Sequence, residues 1–526
     1  MNLWGDEFVV ESSIEKSKKA LNKVNSPKKV QKKESKISIE EKLFHIEKSV
    51  HKILGKYADS TVVIKSKKEY DNYIEKCIEI GTIALDTETN NSLDPLTCKL
   101  MGLCLYAEGM PAAYIPVNHT NKDTGERLSW QLTEEDIKEG IDKLVNVKII
   151  THNGKFDYKV LKCTCNCTFS IYWDSQVAAR ILDENEYSAG LKQQYIMKID
   201  PTEEKYSIDH LFEGLEYAII DPELFALYAA TDSYKTYVLY KYQFKELIKP
   251  ENKRLLSLLY EVEFPIIEVV SEMELDGIAL DKEYCERLSK KYHQKLDVIN
   301  EELNKELENL KPQITAWKLT PYAQEKAFRI VKGKEVQNKK TRAEQLEDPP
   351  ALTSPTQLAI LLYDILKVSI VDKNNPRGTG EDILKQIDLP IVKLIIEQRT
   401  LLKLLDAFID ALPKLASERD GKIHSNFNQL GTDTGRFSCT NPNLQQIPAR
   451  NIEVRMMFCA DDYEVNEEIK NNCITLYIND DIMLYNGTWK KVLEVEKGDE
   501  IFNNNEKLIV YRTEIKDKEK IIYFCD

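Results

Sequence analysis

Between Thr61 and Leu247 short apolar runs alternate with amphipathic stretches, the pattern of a sheet with covering helices. Residues 81–85 form an apolar run that ends in Asp86, and residues 99–106 and 112–117 follow as strands separated by turn residues. Thr133 with Asp136 three positions on opens a helix as a capping box does, and predicts Ile137, Ile141, Leu144 and Val145 on its inner face. Residues 148–151 read as the next strand, and residues 155–162, 173–182 and 222–240 read as helices. After Pro250 the pattern changes to long helices over residues 255–273, 282–310, 354–366 and 389–412. In the second of these Leu288, Tyr292, Leu296, Ile299, Leu303, Leu307 and Leu310 recur at threes and fours, a stripe that predicts packing on one neighbour. Ser354 and Pro355 mark a helix start, and Pro413 a stop. From Asp461 onward the residues become β-prone and asparagine-rich, with turns predicted at Asn486–Gly487 and at residues 497–499.

At 526 residues the chain is long for a single core, and domains of roughly 100 to 200 residues predict three or four units. The changes of pattern divide it into a basic tail without fixed structure (1–60), an α/β domain (61–248), a mainly helical part (249–460) and a β-rich segment (461–526). The tail carries nine lysines between Lys16 and Lys36, which suit either a solvated arm or a tether to phosphates or to a partner. A net charge of −14 argues against a uniformly basic nucleic-acid binder but leaves room for a local basic groove. The first residues have no basic-then-apolar leader, and no stretch reaches the roughly 18 apolar residues of a membrane span, so a cytoplasmic location without membrane contact is expected. Eleven cysteines in such a chain fit a reducing compartment. Cys163, Cys165 and Cys167 lack the paired Cys-x-x-Cys spacing of structural zinc sites.

Three acidic clusters, Asp86–Thr87–Glu88, Asn153 to Asp157 and Tyr228 to Asp232, sit in order within the α/β region. Residues two apart on a strand share a face, so Asp86 and Glu88 can point together beyond the apolar run. Tyr228 and Asp232, four apart on a helix, do the same. Two carboxylates held together need a cation, and hard oxygen ligands select Mg²⁺ or Mn²⁺. Four convergent carboxylates suit a pair of such ions acting on a phosphodiester.

These three segments resemble the Exo I, Exo II and Exo III motifs of the DEDDy 3′–5′ exonucleases, in particular the proofreading domain of family A DNA polymerases. The resemblance implies a ribonuclease H-like α/β fold. It makes Asp86, Glu88, Asp157 and Asp232 ligands of two Mg²⁺ or Mn²⁺ ions, has Tyr228 orient the nucleophilic water, and puts Asn153 near the substrate strand. Thr434–Gly435–Arg436–Phe437–Ser438, then Asn441 to Pro448, then Arg455 to Phe458 resemble the segment these polymerases place ahead of their first palm motif. Arg436, Asn441, Gln445 and Arg455 are the DNA-binding residues this implies, in a mainly α thumb and the start of a palm. Such groups suit minor-groove acceptors and phosphates of a primer-template.

The family's two palm aspartates are not found: Asp462–Tyr463 continues as Glu464–Val465, and Asp526 stands alone at the end. Residues 486–501 resemble the opening hairpins of intein and Hedgehog-type Hint domains, with Cys473 near their start, yet no histidine follows His424 to serve as a proton donor. A passive β insertion is therefore expected. The expected whole is a phage-type replication polypeptide without a 5′ nuclease domain, acting on the single-stranded 3′ end of a primer-template. Two alternatives are a non-polymerising DNA-binding subunit whose palm and fingers come from a second polypeptide, and a free-standing DEDD exonuclease acting on RNA.

Overall fold

The computed structural model describes residues 38–183, 189–212, 214–331, 334–432, 434–459, 473–477, 481–484, 488–503, 506–516 and 519–525. These divide into two compact units, residues 38–277 with 424–445, and residues 278–423 with 446–525.

The first unit begins with a helix, α1 (Ile39–Leu54), inside the span expected to lack structure. Ser38 caps it in a capping box with Glu41, and Ile46, Val50 and Leu54 are fully buried, so an apolar stripe overrides the high local charge. Then come β1 (Thr61–Val63), α2 (Lys67–Ile80), β2 (Thr82–Thr89), β3 (Leu100–Ala107), β4 (Ala112–Pro116), α3 (Glu134–Asp142) and β5 (Lys148–Thr151). α4 (Gly154–Cys165), β6 (Ile171–Asp174), α5 (Ser175–Leu182), α6 (Leu191–Lys198), α7 (Pro222–Leu247) and α8 (Phe264–Asp276) are the principal elements that follow. The sheet is mixed, in the order β1-β4-β3-β2-β5-β6, with β3 antiparallel to β2 and β4 and the other pairs parallel. α7 lies against β1 to β4, and buries Phe225, Leu227, Ala229 and Ala230 there.

The capping box at Thr133 forms with Asp136 as the reciprocal acceptor, and Ile137, Ile141 and Leu144 are buried. Val145 is 79% exposed, because α3 ends at Asp142 and the periodicity no longer applies beyond it. The helix predicted over 173–182 is a strand followed by a helix. Asp174 makes the break, since its side chain accepts from the Gln176 and Val177 amides and so starts α5 there. The helix predicted over 255–273 widens to π geometry at Leu259–Glu263 before α8 resumes, next to Pro265, which has no amide hydrogen to continue the ladder.

In the second unit β7 (Ile278–Leu280) lies between β8 (Lys422–Ile423) and β9 (Phe458–Cys459), antiparallel to both. α9 (Lys282–Lys318) buries Leu288, Tyr292, Leu296, Ile299, Leu303 and Leu307 and packs on α10 (Pro390–Leu404); it runs past Leu310 with Pro312 inside it. Pro413 sits in the first turn of a short helix, Leu412–Leu415, instead of closing one. Strands Cys473–Tyr477, Glu519–Cys525, Glu506–Lys516 and Glu500–Asn503 form an antiparallel sheet in that order, and Gly498, at φ +93, makes the turn before it. The predicted turn at Asn486–Gly487 and residues 462, 463 and 526 lie outside the described residues.

Candidate active site

β2 carries Asp86 and Glu88 on one face. The strand runs on past the apolar run to Thr89 and so holds both acids. Cys104 and Gly102 stand opposite them on β3. A carboxyl oxygen from each acid and the Cys104 sulfur lie within 4.8 Å of one another. A side chain at 102 would come within 2.4 Å of the Tyr114 ring, so glycine there leaves that ring its place against β3.

Asp157 reaches the site from α4. Asn153 enters that helix in the left-handed region at φ 67, and a Cβ on Gly154 would stand 2.2 Å from Thr151 Oγ1, so the helix starts hard against β5. Buried Asp174 holds this start: its Oδ2 accepts from the Gly154 amide at 2.6 Å and from Thr151 Oγ1 at 3.1 Å. Thr87, between the two β2 acids, donates to Asp157 Oδ1 from its amide at 2.9 Å and from its hydroxyl at 2.6 Å.

α7 brings Tyr228 and Asp232, one turn apart and both buried. Lys192 on α6 donates to Asp232 Oδ2 at 2.8 Å and to the Tyr228 hydroxyl at 3.2 Å. Asp232 Oδ1 is buried and accepts no hydrogen bond.

The cluster is electrostatically strained. Burial, followed by the charge on Asp232, pushes Glu88 up to about 8. Burial pushes Asp157 up to about 7 against the two Thr87 hydrogen bonds. Asp86 is raised well above the carboxylate range by burial and then by Asp157, Glu88 and Asp232. Burial also keeps the Tyr228 hydroxyl and the Cys104 thiol protonated. Such a pocket fits hard divalent cations, because its donors are carboxylate oxygens that repel one another and one of them, Asp232 Oδ1, is unsatisfied. Cys104 is a soft ligand ill suited to those ions and serves as a wall.

Asp86, Glu88, Asp157, Tyr228 and Asp232 thus come to one place. Asn153 is exposed at the α4 start and lines a recess with Lys155, Asp174 and Phe427. Arg436, Asn441 and Gln445 are exposed in the same unit, and Arg455 is exposed in the other. Cys165 and Cys167 are buried in the core, and with Cys163 they form no metal-sized group among the described residues. The sequence reading missed Thr87, Cys104, Asp174 and Lys192. Cys104 follows from β2–β3 register, and Asp174 from its place as a cap at a strand end, whereas nothing local marks Lys192 among the chain's many lysines.

Residues 61–248 match the family described as 3′–5′ exonuclease, and residues 324–467 match DNA polymerase family A. The chain is 28% identical over 391 residues to DNA polymerase I of Borreliella burgdorferi, across 74% of this chain and 37% of that protein. It is 30% identical over 378 residues to DNA polymerase I of a Synechocystis species, across 70% and 33%. The chain therefore spans little more than a third of the curated relatives it matches. The structure is similar to the POL domain of Pol1 from M. smegmatis, solved in complex with DNA primer-template and dNTP, at a TM-score of 0.53 and 19% identity over 76% of this chain and 59% of that one. Among the described residues no helix is long and apolar enough to cross a membrane. With one family matched on each side of the change from mixed sheet to long helices, the chain belongs to the family A DNA polymerases and carries a 3′–5′ exonuclease domain ahead of its polymerase segment.

Proposed function

We propose that residues 61–248 are a ribonuclease H-like proofreading exonuclease that removes nucleotides from the 3′ end of a DNA strand in a two-metal reaction. The observation that carries this is the meeting of four acids from β2, α4 and α7 around an unsatisfied Asp232 oxygen. Asp86, Glu88, Asp157 and Asp232 would hold the ions, Mg²⁺ or Mn²⁺. Bound divalent cations lower the pKa of a water and neutralise charge at the phosphorus and the departing 3′ oxygen. The chain's own residues do the positioning. Thr87 fixes Asp157, the protonated Tyr228 hydroxyl orients the attacking water, and the exposed Asn153 meets the incoming strand.

The second part of the proposal concerns residues 249–460, read as a thumb and the start of a palm, with Arg436, Asn441, Gln445 and Arg455 contacting a primer-template. The match to DNA polymerase family A supports this, as does the likeness to a polymerase domain solved with DNA. The palm aspartates are taken to be missing from this sequence, and residues 461–526 to be a Hint-like insertion. The polypeptide would work in DNA replication in the cytoplasm of a bacterial or phage-infected cell.

Incubation with Mg²⁺ and a 5′-labelled single strand tests the exonuclease: the label should shorten from its 3′ end, and the Asp86→Ala/Glu88→Ala variant should not shorten it. Hydrolysis by that variant would refute the site. Primer extension by this chain alone would refute the missing palm.

A further inference from the structure

Among the described residues Lys192 is the ammonium group that hydrogen-bonds an acid of the cluster, Asp232. The other lysine near Asp232, Lys235, is one helical turn further along α7 and is committed to Glu203 at 2.7 Å. Lys192 is held on three sides: Asp232 Oδ2 at 2.8 Å, the Tyr228 hydroxyl at 3.2 Å, and the faces of the Tyr228 and Tyr206 rings at 4.4 and 5.3 Å. Its side chain is only a quarter exposed. This is a built seat, since cation–π contact and a carboxylate fix the ammonium where it can touch the phenol.

Two physical consequences follow. An ammonium can only donate, so the Tyr228 oxygen must accept from it, and the phenolic hydrogen is turned away from Lys192 to donate elsewhere. The same ammonium holds one Asp232 oxygen while the other has no partner, so any divalent cation bound by Asp232 binds beside a fixed positive charge. The charges also balance: four carboxylates and two divalent ions sum to zero, and Lys192 then matches the single negative charge of a phosphodiester.

We propose that Lys192 is a positioning residue of the exonuclease site: it aims the Tyr228 hydroxyl and at the same time weakens the hold of the acids on their cations. This rests on the metal-site reading above. Its two halves predict effects of opposite sign, which a merely structural lysine would not produce. Removing the charge tightens metal binding and slows hydrolysis.

The test uses the full chain and Mn²⁺, with free Mn²⁺ read by its paramagnetic resonance and hydrolysis read at saturating Mn²⁺ on a labelled single strand. Lys192→Met should bind Mn²⁺ about tenfold more tightly, as loss of one nearby like charge requires, yet turn over about tenfold or more slowly. Lys192→Arg, which keeps the charge, should return Mn²⁺ affinity toward that of the intact protein. In a Tyr228→Phe background Lys192→Met should slow turnover no further, because the lysine acts through the phenol, while still tightening Mn²⁺. Unchanged or weaker Mn²⁺ binding in Lys192→Met overturns the proposal, as does a rate loss that multiplies fully with that of Tyr228→Phe. Asp86→Ala/Glu88→Ala separates this from failure of the site itself. If that variant still binds Mn²⁺ and hydrolyses DNA as the intact chain does, the site is wrong whatever Lys192 does.

Discussion

Two sets of buried carboxylates in the same unit have opposite surroundings. Glu203 is flanked by Lys235 and Lys56, and Glu274 by Lys155 and Lys159, so each buried negative charge meets two positive ones. Burial works against the charge on Glu203, but its two lysines more than offset that and hold its carboxyl below the ordinary range. In the cluster of Asp86, Glu88, Asp157 and Asp232, the lysine hydrogen-bonded among the described residues, Lys192, reaches Asp232 alone; burial raises the first three, and mutual repulsion adds to it at Asp86 and Glu88. The first two carboxylates are balanced by lysines, whereas the acids of the proposed site are gathered with little compensating charge, the arrangement that marks a candidate for chemistry.

Four experiments would break or sharpen that contrast. The largest effect is expected from Asp86→Ala/Glu88→Ala, which should cut 3′-end hydrolysis by about a thousandfold or more, the scale of losing a principal charge-stabilising element. Circular dichroism of that variant should show an intact fold that, in chelator, melts no lower than the parent. Glu274→Ala should do the reverse. It leaves the part-buried Lys155 and Lys159 without their shared carboxylate and should destabilise the protein by about 3 kcal/mol in a urea titration.

Acidity gives a third, intermediate effect. Glu88 titrates near 8 when folded against 4.5 unfolded, and Asp157 near 7 against 3.8. Raised carboxyls favour folding below their unfolded values and lose that contribution as the pH rises through the folded ones. In chelator, melting temperature should therefore fall between about pH 4.5 and 8 relative to the double alanine variant, and added Mg²⁺ should reverse the fall. The smallest effect should come from Ser38→Ala, which removes the α1 cap and should cost about 1 kcal/mol by thermal melting.

The five residues that come together in the candidate site were legible because each acid sits at a position that local periodicity fixes: two apart on a strand, four apart on a helix, or in the first turn of a helix after a strand. What brings them together was not legible. Asp174 and Thr87 fix Asp157 by contacts across 20 and 70 residues, and Lys192 reaches Asp232 across 40. Composition misled at α1, where charge density suggested a solvated arm while Ile46, Val50 and Leu54 at spacings of four defined a buried face. Periodicity misled at 173–182, because a strand and the helix it feeds share one apolar run, and only the cap at Asp174 divides them.

The Glu274 carboxylate also accepts from the Phe427 amide at 2.6 Å, and Lys155 Nζ donates to the Phe427 carbonyl at 2.6 Å and to Asn426 Oδ1 at 2.8 Å. The helix that presents Asp157 is thereby fastened to a stretch of chain nearly 150 residues beyond the last helix of its own unit. Anyone wishing to express the nuclease as a separate fragment should not cut after Gly277. Splicing residues 424–445 back on through a short linker would keep those anchors and give a piece whose boundaries follow the contacts and not the numbering.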